Sequence, residues 1–266
     1  MDATAGHGVA RAGVGLDHGV VTGDSDREAE PARLTIVGCS GSVPGPGSAC
    51  SCYLVERDGY RLVLDLGLGA IGPLQGHLAV EQLDAAFITH AHGDHCRDLW
   101  GLAYLRQRLD ITDRFPVYGP ADVVDALIRE YPEAHEVFRF EPRPRRLGPW
   151  RIRTVVAEHA VENWAVRLDD RLCYTGDTGP CAALDEVADG CTVLLAEAAG
   201  FDADRPRYHL TAGDAGRLAR RSGARLLILT HLRPWLDQAA LLDEAGAAAD
   251  CPIVLAQPGQ RFTLPG

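Results

Sequence analysis

Residues 89–95 read Thr89-His90-Ala91-His92-Gly93-Asp94-His95, directly after the apolar run Ala86-Phe87-Ile88. Imidazole and carboxylate donors of this kind suit Zn²⁺, with Mn²⁺ or Fe²⁺ as alternatives. Alternate residues of an extended segment share a face, so His90 and His92 point the same way. Gly93 permits a sharp turn, after which Asp94 and His95 can face a second position nearby. One tetrahedral ion that keeps a place open for water cannot use four donors, so the spacing calls for two adjacent ions.

Outward from this stretch, one arrangement recurs. Five apolar runs end in a group that can hold a metal or a proton: Leu62-Val63-Leu64 in Asp65, Ala86-Phe87-Ile88-Thr89 in His90, Leu172 to Gly176 in Asp177, Val193 to Ala196 in Glu197, and Leu226 to Thr230 in His231. In layered α/β proteins, sites collect at the carboxyl ends of strands. Five such endings point to one edge of the molecule. His159 follows the run Val155-Val156-Ala157 and joins the candidates. Two ions need a shared ligand, and a carboxylate has two oxygens, so Asp177 is the natural bridge.

The pattern around these residues is regular from Arg33 onward. Strands are expected at Leu34–Gly38, Cys52–Val55, Arg61–Leu66, Ala85–Thr89, Pro116–Tyr118, Ile152–Ala157, Trp164–Leu168, Leu172–Thr175, Thr192–Ala196, Leu226–Thr230 and Ile253–Ala256. Helices are expected at Cys96–Leu109, Ala121–Tyr131, Cys181–Ala188, Ala212–Ser222 and Leu236–Ala249. This is an α/β layered protein, not a helix bundle. Trp100 and Trp164 are expected in the core. The Pro- and Arg-rich stretch Glu133–Trp150 is the candidate lid or loop. Residues 1–31 show no sustained period and no signal-peptide pattern, and are expected to be a mobile tail. Residues 32–266 then form a single domain.

Of 266 residues, 37 are Asp or Glu and 26 are Arg or Lys, a net charge of −11. There is no lysine, which excludes a Schiff-base lysine or a P-loop. The acidity argues against long nucleic acid as a partner. It does not argue against a small anion, because the local field decides. No apolar run approaches the roughly 20 residues that span a bilayer, so no membrane partner is expected. The eight cysteines form no CxxC pair and read as buried free thiols, which fits a cytoplasmic location.

The ordered set HxHxDH, His159, Asp177 and His231 resembles the metallo-β-lactamase superfamily, from about Arg33 to the C-terminus. That resemblance implies a four-layer αββα sandwich. It also implies one metal on His90, His92, His159 and Asp177, and a second on Asp94, His95, Asp177 and His231. Asp65 matches the family's aspartate that orients the ligands from behind. Ala196-Glu197-Ala198, His209-Leu210-Thr211 and the glycine loop Val37–Ser42 resemble the RNase Z-like branch. The segments Gly38–Pro46, Tyr174–Gly179, His209–Gly216 and Leu226–Trp235 look closest to the compact bacterial cyclic-nucleotide phosphodiesterases. The long Gly/Lys-rich arm of RNase Z has no counterpart here.

The resemblance thus implies a hydrolase with two divalent ions, most simply zinc, attacking a small cyclic nucleotide or similar anionic ester with a bridging hydroxide. Asp94 is the expected water-orienting ligand. His209, oriented by Glu197, is the expected proton donor. Ser40, Arg233 and Trp235 are expected substrate contacts. Arg143, Arg145 and Arg146 with Phe138 and Phe140 read as a solvated loop, with a nucleotide-receiving mouth as the alternative. Thioester, lactone or other ester hydrolysis is the competing chemistry, ahead of tRNA 3′ processing or a non-catalytic metal protein. A homodimer is left open.

Overall fold

Strict alternation along the strands sets the layers. Leu62 and Leu64 face a core between two sheets, whereas Val63 between them faces outward to helices. Leu172 and Tyr174 face the same central core, and Cys173 faces outward on the other side. This is the period of two of a strand buried on both faces.

The computed structural model describes residues 31–141 and 143–266. The expected tail lies outside the described residues, apart from Pro31. The first half contributes β1 (Arg33–Ser40), β2 (Ala49–Cys50), β3 (Cys52–Arg57), β4 (Tyr60–Leu64), α1 (Ile71–Gln75), β5 (Ala85–Phe87), α2 (Gly93–Cys96), α3 (Leu99–Arg108), β6 (Phe115–Tyr118), α4 (Ala121–Glu130), α5 (Ala134–Val137) and β7 (Phe138–Glu141). The second contributes β8 (Arg146–Leu147), β9 (Trp150–Ala157), β10 (Asn163–Leu168), β11 (Leu172–Tyr174), α6 (Ala182–Ala188), β12 (Val193–Glu197), α7 (Ala212–Ser222), β13 (Leu226–Thr230), α8 (Gln238–Ala248), β14 (Ile253–Leu255) and β15 (Arg261–Thr263).

One sheet has the order β15-β1-β3-β4-β5-β6-β7, with β2 beside β1, and the other β14-β13-β12-β11-β10-β9-β8. Helices α1, α3, α4 and α5 cover the outer face of the first, through Leu74, Leu102, Leu127 and Ala134. Helices α6, α7 and α8 cover the second, through Leu184, Leu218 and Leu241. The result is the expected αββα sandwich. Each fully buried Leu or Phe in these layers contributes about 1.5–3 kcal/mol. Strands β4, β5 and β6 run parallel, as do β11 to β14, so within each sheet their carboxyl ends share an edge.

Two expectations are corrected. The stretch Glu133–Trp150 is not a lid: it folds into α5, β7 and β8 and carries an edge strand of each sheet, with Phe138 fully buried. Trp164 is in the core, but Trp100 is 47% exposed and stacks on Tyr104. The eight cysteines are free. Among the described residues, no helix is long and apolar enough to cross a membrane.

Candidate active site

The strand ends turn sharply where the polar groups begin. Asp65 after β4 and His231 after β13 both take left-handed backbone, with φ of 56° and 52°. Such a conformation costs a non-glycine residue about 1–3 kcal/mol and persists only where surroundings enforce it. Two glycines allow the loops to close on the site. A Cβ on Gly67 would meet the Asp94 carbonyl oxygen at 2.0 Å, and one on Gly41 would meet the His231 carbonyl at 2.5 Å.

Hydrogen bonds behind the site fix which ring nitrogens face it. Asp65, fully buried, accepts from the Thr89 N–H (2.7 Å), the Thr89 hydroxyl (2.9 Å), the Tyr174 hydroxyl (2.7 Å) and His95 Nδ1–H (2.7 Å). The Thr89 hydroxyl has one proton and gives it to Asp65. It therefore accepts from His90 Nδ1–H at 3.0 Å. His159 Nδ1–H donates to the Tyr208 carbonyl at 3.0 Å. In all three residues Nε2 is left aimed at the cluster.

Two ligand groups result. In the first, His90 Nε2 and His159 Nε2 each lie 3.1 Å from His92 Nδ1. With both Nε2 atoms unprotonated, at most one of these contacts is a hydrogen bond, so the three nitrogens call for a cation between them. Tetrahedral bonds of about 2.0–2.1 Å give edges of about 3.3 Å, which matches this spacing. Asp177 Oδ2 completes the group, 3.8 Å from His90 Nε2. In the second, His231 Nε2 lies 3.1 Å from Asp94 Oδ2 and 3.3 Å from Asp177 Oδ2, and His95 Nε2 lies 3.2 Å from Asp177 Oδ1. His95 Nε2 and Asp177 Oδ1 are buried without a hydrogen-bond partner. Orphaned atoms of this kind are what an ion would satisfy. Asp177 faces both groups: Oδ2 is shared between His90 of the first and His231 of the second, while Oδ1 reaches His95 of the second.

The ligand atoms of a third set, Asp177, Glu197, His209 and His231, also lie within 4.8 Å of one another. Its hydrogen bonds give it other work. Glu197 Oε1 accepts the Thr178 N–H, and Oε2 accepts His209 Nδ1–H at 2.8 Å. Glu197 is fully buried, while His209 is partly open to solvent. The carboxylate thus holds the imidazole with Nε2 free.

The electrostatics fit competition between protons and metal. Burial lowers the pKa of His90, and the neighbouring His95 charge lowers it further, so it is held well below its ordinary value. Burial likewise lowers His159. Burial also opposes charge on His95, but the Asp177 and Asp65 carboxylates outweigh it and hold its pKa well above the usual range. His231, buried beside Asp177, Asp94 and Glu197, is pushed up to about 10. Burial opposes ionisation of Asp177, yet the positive charge of His231 and His95 keeps it well below the carboxylate range. Metal capture must therefore expel protons. Affinity is expected to rise with pH up to about 10, by about tenfold per unit for each proton expelled. The metal-free fold has the opposite dependence. Its His231 stabilisation is complete below about pH 6.5 and is lost as pH climbs through about 10. Calorimetry of zinc loading at about pH 8, in buffers of different ionisation enthalpy, should show proton release. Heats that do not depend on the buffer would contradict this.

The groups open onto a cleft of about 580 Å³, whose wall also includes Ser42, Leu68 and Arg97. Of the three expected substrate contacts, Ser40 is corrected. It is buried, and its hydroxyl accepts from the Gly45 N–H and donates to the Ser48 carbonyl, so it shapes the glycine loop. Arg233 and Trp235 lie outside the residues lining the cleft, with Trp235 62% exposed. Arg143 stacks on Trp164 and pairs with Glu162, as a solvated edge residue does. Several contributors carried no signal in the sequence. The Ser42 N–H holds Asp94 Oδ2 at 2.8 Å, and the Tyr208 carbonyl holds His159. Thr89 and Tyr174 read as ordinary strand residues.

Known proteins are similar to this chain in sequence and fold. Residues 60–232 match the beta-lactamase superfamily domain. An uncharacterized protein of Mycobacterium leprae is 34% identical, across 94% of this chain and 92% of that protein. The probable metallo-hydrolase YhfI of Bacillus subtilis is 28% identical, across 85% of this chain and 98% of its own. Its crystal structure matches with a TM-score of 0.79 at 26% identity, covering 87% and 98% of the two chains. A ribonuclease Z of Haloferax volcanii is 27% identical, across 88% and 95%.

Proposed function

From its place in the beta-lactamase superfamily, to which this chain belongs as a metallo-hydrolase, we propose that it is a phosphodiesterase acting on a small nucleotide-like ester, with cyclic nucleotides as the first candidates. The observation that carries this reading is the Glu197–His209 pair beside the ligand groups. Hydrolysis of a nucleotide diester expels an alkoxide, which needs a proton in the transition state. A thioester expels a thiolate, which leaves far more readily because its thiol has a pKa of only about 8.5.

His90, His92, His159 and Asp177 would hold one divalent ion, and Asp94, His95, Asp177 and His231 the other; zinc suits these donors best, with manganese or iron as alternatives. Bound there, the ions supply Lewis acidity toward phosphoryl oxygens and acidify water toward a pKa of about 7. Asp94, fixed by the Ser42 N–H, accepts a hydrogen bond from water and orients it for attack. Glu197 holds His209 through Nδ1, so that Nε2 is placed to deliver a proton to the departing oxygen. The buried Asp65 network keeps His90 and His95 from rotating out of place.

The ribonuclease Z relative keeps an RNA substrate in view, while the net charge of −11 weighs against a long polyanion. The test is a panel of cyclic AMP, bis-(p-nitrophenyl) phosphate, an acyl thioester, a lactone and tRNA, run with elemental analysis of the purified protein. Turnover of the phosphodiesters is expected to exceed that of the carbon esters by at least about tenfold in kcat/KM. Preference for the thioester or lactone would overturn the reading. Salt-sensitive tRNA cleavage would move it to RNA.

A further inference from the structure

One cation in the cleft belongs to neither ligand group. Arg97 caps the short helix α2 three residues after Asp94, so the two side chains leave the same side of the turn. Among the described residues lining the cleft it is the only arginine. Its guanidinium pairs with Glu130, the last residue of α4, and both partners are about half exposed. An exposed pair of this kind is weak, because water screens it and two flexible side chains must be held together. An incoming anion can therefore displace Glu130 at little cost. A terminal phosphate is a strong competitor, because its oxygens match the guanidinium fork as a carboxylate's do and it carries about −1.5 to −2 of charge at neutral pH.

Leu68 lies beside this cation. It lines the same cleft, is 42% exposed, and donates its N–H to the Gly93 carbonyl at the first turn of α2. An apolar shelf and a displaceable arginine thus flank the Asp94 end of the ligand cluster. The shelf suits the face of a base or sugar.

We infer that Arg97 receives a second phosphate of the substrate, so that the preferred substrates are phosphodiesters carrying a further phosphate group next to the scissile one. Glu130 occupies the guanidinium until such a group arrives. This rests on the phosphodiesterase reading and narrows it. The scissile group is placed by Asp94 and Asp177. Neighbouring positions on one helix face are about 5–6 Å apart at Cβ, so Arg97 addresses an adjoining phosphate and not the one being cleaved.

A matched set tests it. The dinucleotide ApA is compared with the same molecule bearing a 5′ or a 3′ terminal phosphate. Wild-type protein should favour one of the phosphorylated forms at least tenfold in kcat/KM, through KM. Arg97→Gln should bring that preference to within threefold, and Arg220→Gln, whose partner Asp250 lies outside the cleft, should leave it as it is. Equilibrium binding gives a readout that needs no turnover. Adenosine 3′,5′-bisphosphate should bind wild type at least tenfold tighter than AMP, Arg97→Gln should abolish the advantage, and Glu130→Gln should enlarge it threefold. An unchanged preference in Arg97→Gln, or no preference in wild type, overturns the assignment. No change in Glu130→Gln overturns Glu130 as the resident partner. Failure of every diester to turn over, with the Arg97-dependent binding preference intact, would count against the phosphodiesterase reading and not against this site.

Discussion

Replacing His209 with alanine is expected to leave both ligand groups able to load metal and to cut kcat on a cyclic nucleotide by about 10²–10⁴-fold. The first half of that expectation rests on position. Neither of the two ligand groups that include Asp94 or His159 contains His209, and His209 Nδ1 is spent on Glu197 at 2.8 Å. The second rests on the leaving group. An alkoxide departs poorly without a proton, whereas p-nitrophenolate departs readily, so the loss should shrink sharply on bis-(p-nitrophenyl) phosphate. The two substrates together separate proton donation from general damage to the site. Elemental analysis and kcat on both esters are the measurements. An equal loss on both would make His209 a substrate-positioning residue, and full activity on the cyclic nucleotide would remove it from the mechanism. Glu197→Gln should follow the same pattern more weakly, because the amide oxygen still accepts the Nδ1–H hydrogen bond but is a weaker acceptor than a carboxylate.

Asp177→Ala is expected to lose metal and turnover together. Its oxygens face His90, His95 and His231, so both groups lose a ligand in one step. The loss should exceed the roughly 10–100-fold that removal of an outer hydrogen-bond partner costs a metal site. Its charge also holds up the pKa of His95 and His231, so the alanine variant should bind fewer protons at neutral pH than the metal-free parent. Asp177→Asn separates the two contributions, keeping volume while removing charge. Elemental analysis after dialysis gives the metal count. A variant that retained two ions per chain would show that Asp177 does not bridge.

What could be read from the residues divides along a physical line. The site positions were legible because each of His90, Asp177, Glu197 and His231 ends an apolar run, and a strand buried on both faces has little other reason to stop in a charged or metal-binding group. The eleven expected strands and five expected helices correspond to elements of the fold, with ends shifted by a few residues at most. The elements that went unread are short: β2 and β8 have two residues each, β15 three and β7 four, and α1, α2 and α5 no more than five. Periodicity has nothing to count over such lengths. The segment Glu133–Trp150 looked like a loop for a related reason. An edge strand is kept short and charged to discourage pairing with other chains, which gives it a loop's composition. Backbone contributors are invisible in principle: no side chain marks the Ser42 N–H or the Tyr208 carbonyl. Ser40 misled because a glycine loop near a site places its hydroxyls by tertiary contacts, and this one turned inward.

The ligand groups draw on both halves of the chain. His90 and His92 come from the first sheet's edge, and His159 and Asp177 from the second; Asp94 and His95 likewise meet Asp177 and His231. Neither half carries a complete set. Ion capture is therefore a report on assembly: the protein becomes a metalloprotein only at the moment its two sheets dock in register. A substitution deep in the central core, far from any ligand, that lets the sheets slip against one another would appear first as a loosened grip on metal, before any loss of secondary structure.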